Sequence, residues 1–184
     1  MSYREPLATT TGFGIVKPGT NLTVLDGVLN VTPIALFDQA YFYSTVTQNN
    51  PVASTTNLVT FNNSAVNIGI TLVAGTDIVV SKTANYVFQA TIQVFKTDTG
   101  NDLVDCWIIR NGVNYPNTNS NSNVASAPGI LAFSFSFTLA LNAGDAIQLA
   151  WQSVDTAMSL LATPAQAGPS RPATPSARCT IIQL

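Results

Sequence analysis

Apolar and polar residues alternate without a break over residues 130–141. Leu131, Phe133, Phe135, Phe137, Leu139 and Leu141 fall on one side of an extended chain, and Ala132, Ser134, Ser136, Thr138 and Ala140 on the other. Period two is the mark of a strand with one buried face, and each Phe that is fully buried contributes about 1.5–3 kcal/mol. Residues 86–95 follow the same rule, with Tyr86, Phe88, Ala90, Ile92 and Val94 opposed to Gln89, Thr91 and Gln93. Shorter strands are predicted at 40–47, 58–61, 66–72, 77–80 and 178–184, separated by Gly, Asn and Pro. No segment has a helical period. The pattern predicts an all-β sandwich or barrel.

One strand departs from one-sided burial. Over residues 104–110 both faces are apolar, with Val104, Cys106 and Ile108 on one and Trp107 and Ile109 on the other. An antiparallel strand normally turns one face to water. A core on one side, and a subunit contact or an overlying loop on the other, would account for it. Trp107 and Ile109 are therefore candidate oligomer-interface residues, and Phe133 and Phe135 of the aromatic face are candidates alongside them. The small, uncharged face of 130–141 could likewise meet a neighbouring subunit or face water.

Residues 1–33 read as a separate arm, and 34–184 as a head. Within the arm, Val24, Leu25, Asp26, Gly27, Val28 and Leu29 form a hairpin signal, because Asp-Gly between alternating runs suits a type I′ turn. An isolated hairpin is marginal in water, so this one must pack on something, and it is the candidate attachment element. Two segments of the head read as loops. Residues 113–126 are rich in Asn and Ser and are expected to be exposed and mobile. Residues 153–177 carry Pro164, Pro169, Pro172 and Pro175, which favour a defined extended path.

Composition narrows the function. Apolar residues make up 46% of the 184-residue chain and charged residues 9%, against a usual quarter charged. A surface of Thr, Asn, Ser and Gln suits a chain partly covered by identical neighbours. The net charge is −2, with no basic patch, so nucleic-acid binding is not expected. No apolar run reaches the length of a membrane span, and MSYREPLATT lacks the apolar core of a secretion signal. The two cysteines, Cys106 and Cys179, are expected as buried free thiols rather than a pair, which suits assembly in a cytoplasm.

Catalytic chemistry is thin. Histidine is absent and Glu5 is the only glutamate, which removes the usual general base and leaves little for paired-carboxylate hydrolysis. No nucleophile elbow, phosphate loop or dinucleotide fingerprint occurs. Asp98, Asp102 and Asp105 in KTDTGNDLVD are the one acidic cluster and a weak Ca²⁺ candidate. Their spacing matches no defined loop, so a solvated turn is the expected state. An enzyme is not expected, and neither is a cofactor.

The strand-turn WIIRNG (107–112), the long strand 86–95, the segment LALNAGDAIQLAW (139–151) and a terminal β-strand together resemble the C1q/TNF-like jelly roll. Within it, Gly144 allows a tight backbone and Asp145 can accept backbone N–H groups. The resemblance implies an antiparallel jelly-roll β-sandwich, here with an N-terminal hairpin arm, that assembles as a homotrimer. Heads of this family sometimes bind calcium. The arm itself, GFGIVKPGTNLTVLDGVLNV (12–31), resembles repeats in bacteriophage, especially cyanophage, virion and tail-fibre proteins. Together these resemblances imply a structural protein of a phage virion, a capsid decoration or short fibre, assembled in the host cytoplasm and joined to other virion proteins through its arm. The alternative is a receptor-binding tip that contacts a host glycan or protein through 113–126 and 153–177.

Overall fold

The computed structural model describes residues 22–25, 28–31, 36–125 and 128–184. The chain divides into two units, Met1–Leu36 and Phe37–Leu184. In the first, strands β1 (Leu22–Leu25) and β2 (Val28–Val31) pair antiparallel with Leu25 opposite Val28. This is the register an Asp-Gly hairpin predicts. Asp26 and Gly27 themselves lie outside the described residues.

The second unit is an antiparallel sandwich. Its strands in chain order are β3 (Gln39–Ser44), β4 (Gln48–Asn49), β5 (Asn57–Leu58), β6 (Asn63–Ile68), β7 (Ile70–Val73), β8 (Asp77–Val80), β9 (Ala84–Lys96), β10 (Asp102–Arg110), β11 (Val113–Asn114), β12 (Ser120–Val124), β13 (Gly129–Leu141), β14 (Ala146–Ser153), β15 (Met158–Leu160), β16 (Gln166–Ala167), β17 (Ser170–Arg171) and β18 (Ala177–Gln183). One sheet runs β7-β8-β14-β10, with β5 also on β14 and with β11 and β12 end to end on the far side of β10. The other centres on β9. β13 pairs along its whole length on one side, while β18 and β15 share the other, with β3 and then β6 beyond β18.

The two sheets face each other across an apolar core. Tyr86, Phe88, Ile92 and Val94 of β9, Cys179 and Ile181 of β18 and Phe42 of β3 belong to it. So do Val104, Cys106 and Ile108 of β10 and Ile147, Leu149 and Trp151 of β14. Alternation assigns these side chains as the sequence predicts. The aromatic face of β13 is a partial exception. Leu139 and Leu141 are buried, but Phe133, Phe135 and Phe137 are only partly so. β13 pairs on one side alone, so the sandwich is open beside it.

Three further features differ from the sequence expectation. Residues 66–72 are not one strand: Gly69, at φ 67°, breaks them so that β6 joins one sheet and β7 the other. A Cβ at Gly69 would collide with the carboxylate of Asp38. Residues 113–126 are not an open loop, since β11 and β12 extend β10's sheet, with Asp102 opposite Val124 and Cys106 opposite Ser120. Asn and Ser are poor strand formers, but here main-chain pairing to β10 places them on an edge. Finally, 153–177 is a folded excursion: β15 pairs with β9, and β16 and β17 form an exposed hairpin with a cis Gly168–Pro169 bond.

Candidate functional site

The turn after β10 and the turn before β14 are built against each other. Asn111 and Gly112 take φ of 51° and 78°, the pair of positive values that a type I′ turn needs. Asn111 then spans the gap. Its backbone N–H donates to Ala146 O at 2.9 Å, and its side-chain amide donates to Asp145 Oδ1 at 2.7 Å. Its Oδ1 accepts the Ala146 N–H at 2.9 Å. Asp145 Oδ2 accepts the Asn142 N–H at 2.7 Å and pairs with Arg110 at 3.0 Å. Burial opposes the charge on Asp145, but the Asn142 N–H, the Asn111 amide and Arg110 together hold its carboxyl below the usual carboxylate range. This corner shapes the sandwich end and has no chemistry left to offer.

A second buried carboxylate, Asp38, has no sequence signal. It sits just before β3, 1% exposed, and accepts from Ser81 Oγ at 2.9 Å, Tyr86 Oη at 3.2 Å and Lys82 Nζ at 2.6 Å. Burial works against its charge, and these three donors outweigh it, so the carboxyl lies below its ordinary value. Burial and the neighbouring Asp38 charge in turn push the Tyr86 phenol up to about 12.

The Ca²⁺ candidate is resolved differently from its sequence form. Asp102 and Asp105 are an odd number of residues apart on one strand, so they point to opposite faces. Asp105 accepts from Asn119 and Gln152 on the outer face of β10. Asp102, Asp98 and Asp155 converge instead, with carboxylate oxygens within 4.8 Å of one another. Lys96, 0% exposed, sits among them. It pairs with Asp102, with Asp98 at 3.4 Å and with Asp155 at 3.9 Å, and donates to Gly100 O at 3.1 Å. The chain supplies its own cation where a metal would sit. Lys96 continues the inward positions of β9, a signal present in the sequence. Asp155 lies far away in sequence and had none.

Cys106 and Cys179 are free and buried, one in each sheet, and burial pushes both thiols up. Such thiols are inert. Trp151 is wholly buried, and its Nε1 is a side-chain donor without a partner among the described residues.

Among the described residues, two surfaces are candidates for partners. The first lies on the outer face of the β9 sheet. A groove of about 640 Å³ there is lined by Tyr41, Gln89, Thr91, Ser134, Ser136 and Thr180 among others. It abuts β13, whose Phe133, Phe135 and Phe137 rings follow one another at centroid distances of 5.6 and 5.7 Å, the first pair edge-to-face and the second tilted. The second lies on the outer face of β10. There Trp107 is half-buried, and its Nε1 donates to Asn114 Oδ1 at 2.8 Å. Ile109, 9% exposed, is already covered by its own chain. Trp107 and Ile109 thus lie on a different face from Phe133 and Phe135, and the four do not form one patch. Among the described residues no helix is long and apolar enough to cross a membrane.

No protein-family model matches the sequence, and no curated protein matches it. The fold does match a solved one. The crystal structure of murine APRIL aligns with a TM-score of 0.50 and 11% identity, over 81% of this chain and 100% of that one. At that identity the likeness concerns fold alone. The two antiparallel sheets of Phe37–Leu184 make a jelly-roll sandwich of the TNF/C1q-like type.

Proposed function

We propose that the chain is a non-enzymatic assembly module, a homotrimer of jelly-roll heads on a phage particle, serving as capsid decoration or short fibre. The arm of residues 1–33 attaches it to other virion proteins. The observation that carries the trimer is the pairing of two unlike surfaces on one protomer. One is the open sandwich edge at β13 with its half-buried Phe series. The other is the groove beside it, where hydroxyl and amide side chains surround a single charged one, Arg178. Unlike surfaces that meet head to tail close into a ring when the rotation between copies allows. Phe rings covered in this way would complete the burial that alternation in β13 demands. The particle setting is supported by the resemblance of residues 12–31 to phage virion repeats. Trp107 and Ile109 play no part in this interface.

Light scattering on the purified chain should give three times the protomer mass, and a monomer would sink the proposal. Ser136→Glu together with Gln89→Glu places charges on exposed positions of the groove. Each is solvated in a free protomer and desolvated in the trimer. The double variant should run as a folded monomer. Deleting residues 1–33 should leave a soluble trimer that no longer joins particles, and attachment without the arm would remove the anchoring role.

A further inference from the structure

We propose that the outer face of β10 carries a binding site for a neutral saccharide. A cavity of about 420 Å³ opens there, within the roughly 300–1,000 Å³ of small-ligand sites. Two aromatic side chains, Trp107 and Tyr115, line it together with side-chain amides and one carboxylate. A pyranose ring has an apolar C–H face and a rim of hydroxyls, each both donor and acceptor. The chemistry that recognises it is an aromatic surface flanked by fixed amide and carboxylate groups.

The groups are held in advance. The Trp107 N–H is already committed to Asn114, so the ring presents its carbon surface rather than its donor. Asp105 is oriented by two amides, accepting from Asn119 Nδ2 at 3.1 Å on one oxygen and from Gln152 Nε2 at 2.9 Å on the other. Each amide thereby commits a donor to Asp105, and Asn119 Oδ1 and Gln152 Oε1 make no hydrogen bond among the described residues. Tyr115 is fixed from behind. Its backbone N–H donates to Ile108 O at 2.8 Å, and the Arg110 guanidinium lies 5.9 Å from its ring centroid.

Charge selects the class of sugar. No lysine or arginine lines the cavity, and Arg110 is engaged by Asp145. A sialylated or uronic-acid glycan would meet Asp105 and no cation in the lining, the nearby Arg110 being shared between Asp145 and the Tyr115 ring. The site therefore takes neutral sugars. It lies on the opposite sheet from the groove assigned to assembly, so every protomer of an oligomer would carry one, and weak single-site binding would be multiplied across the copies.

The test uses the full chain on an array of neutral, sialylated and uronic-acid glycans, followed by fluorescence titration with the best neutral oligosaccharide. Trp107 is the half-buried one of the two tryptophans and reports directly. Neutral glycans should bind, and Trp107→Ala should weaken binding by at least about tenfold. Asn119→Asp, at an exposed position, should weaken it as well by adding a second carboxylate beside Asp105. Both variants should keep the parent's mass in solution. An array that shows no neutral glycan or only acidic ones, or binding that survives both substitutions, would overturn the assignment. A change of oligomeric mass in Trp107→Ala would also overturn it, by making this face a subunit contact. Failure here leaves the light-scattering result on the parent chain untouched, so the two proposals fall separately.

Discussion

Asp145 Oδ1 accepts the side-chain amide of Asn111 at 2.7 Å, and that single contact locks the β10 turn to the β14 turn. Asn111 completes it by clasping both backbone groups of Ala146. Asp145→Ala would leave Asn111, the Asn142 N–H and Arg110 without their shared acceptor. The expected loss is about 1–3 kcal/mol, read as a lower urea midpoint with unchanged slope.

The same carboxylate sets part of the response to acid. Asp38 and Asp145 both have folded pKa values below the ordinary 3.8. The unfolded chain therefore binds protons at these sites before the folded one does. Their contribution to stability is complete above roughly pH 5 and drains away as pH falls through 4 toward the depressed folded values. Melting temperature should drop steeply across that window in the parent chain and less steeply in Asp145→Asn. Parallel curves for the two proteins would contradict the assignment.

Gly69→Ala should be costly at an otherwise mild position. Its φ of 67° disfavours any Cβ, and the added methyl would displace the Asp38 carboxylate from Ser81, Tyr86 and Lys82. We expect at least about 2 kcal/mol from backbone strain and the disturbed buried charge together. Chemical denaturation measures it, and a loss below about 0.5 kcal/mol would show that Asp38 has room to move.

Lys96 is the cation of its own carboxylate cluster. Millimolar calcium should leave the parent's melting temperature unchanged. Lys96→Met removes the charge and leaves Asp98, Asp102 and Asp155 facing one another, with an expected loss of about 3–5 kcal/mol. Calcium should restore part of that loss in the variant, because carboxylate oxygens are its preferred ligands. Differential scanning calorimetry with and without the ion decides it.

Trp151→Phe should be nearly silent for so deeply buried a side chain. The smaller ring leaves a void, but it also removes an indole N–H that has no partner. The two effects oppose each other, and the net change should stay below about 1.5 kcal/mol, against about 3–5 for Trp151→Ala. The variant also leaves Trp107 as the sole emitter, which isolates the β10 face for titration.

How legible the chain was depends on which interactions build each part. β9, β13 and β14 bury alternate side chains, so their alternation can be read directly, and the Asn111-Gly112 and Asp145 turns carry their own chemistry. β12 is different: apart from the buried Val124 it is held by main-chain bonds to β10, and SNSN says nothing about them. The alternation around Phe133 and Phe135 points to a buried face, but no local pattern says that β13 lies at an edge, where they are only partly covered. Asp105 is close to Asp98 and Asp102 in sequence, but strand parity turns it to the other face of β10. The saccharide face has the same origin. Trp107 stood out, but Tyr115, Asn119 and Gln152 reach it only because β11, β12 and β14 flank β10.

β18, the last strand of the sandwich in chain order, lies between β3, the first, and β9. Until translation has passed residue 183, β3 has only β6 beside it and β9 only β13 and β15, and the strand that joins the two halves of this sheet is missing. The head cannot mature domain-first as it is made. Joining β3 to β9 through β18 is therefore a late event in folding.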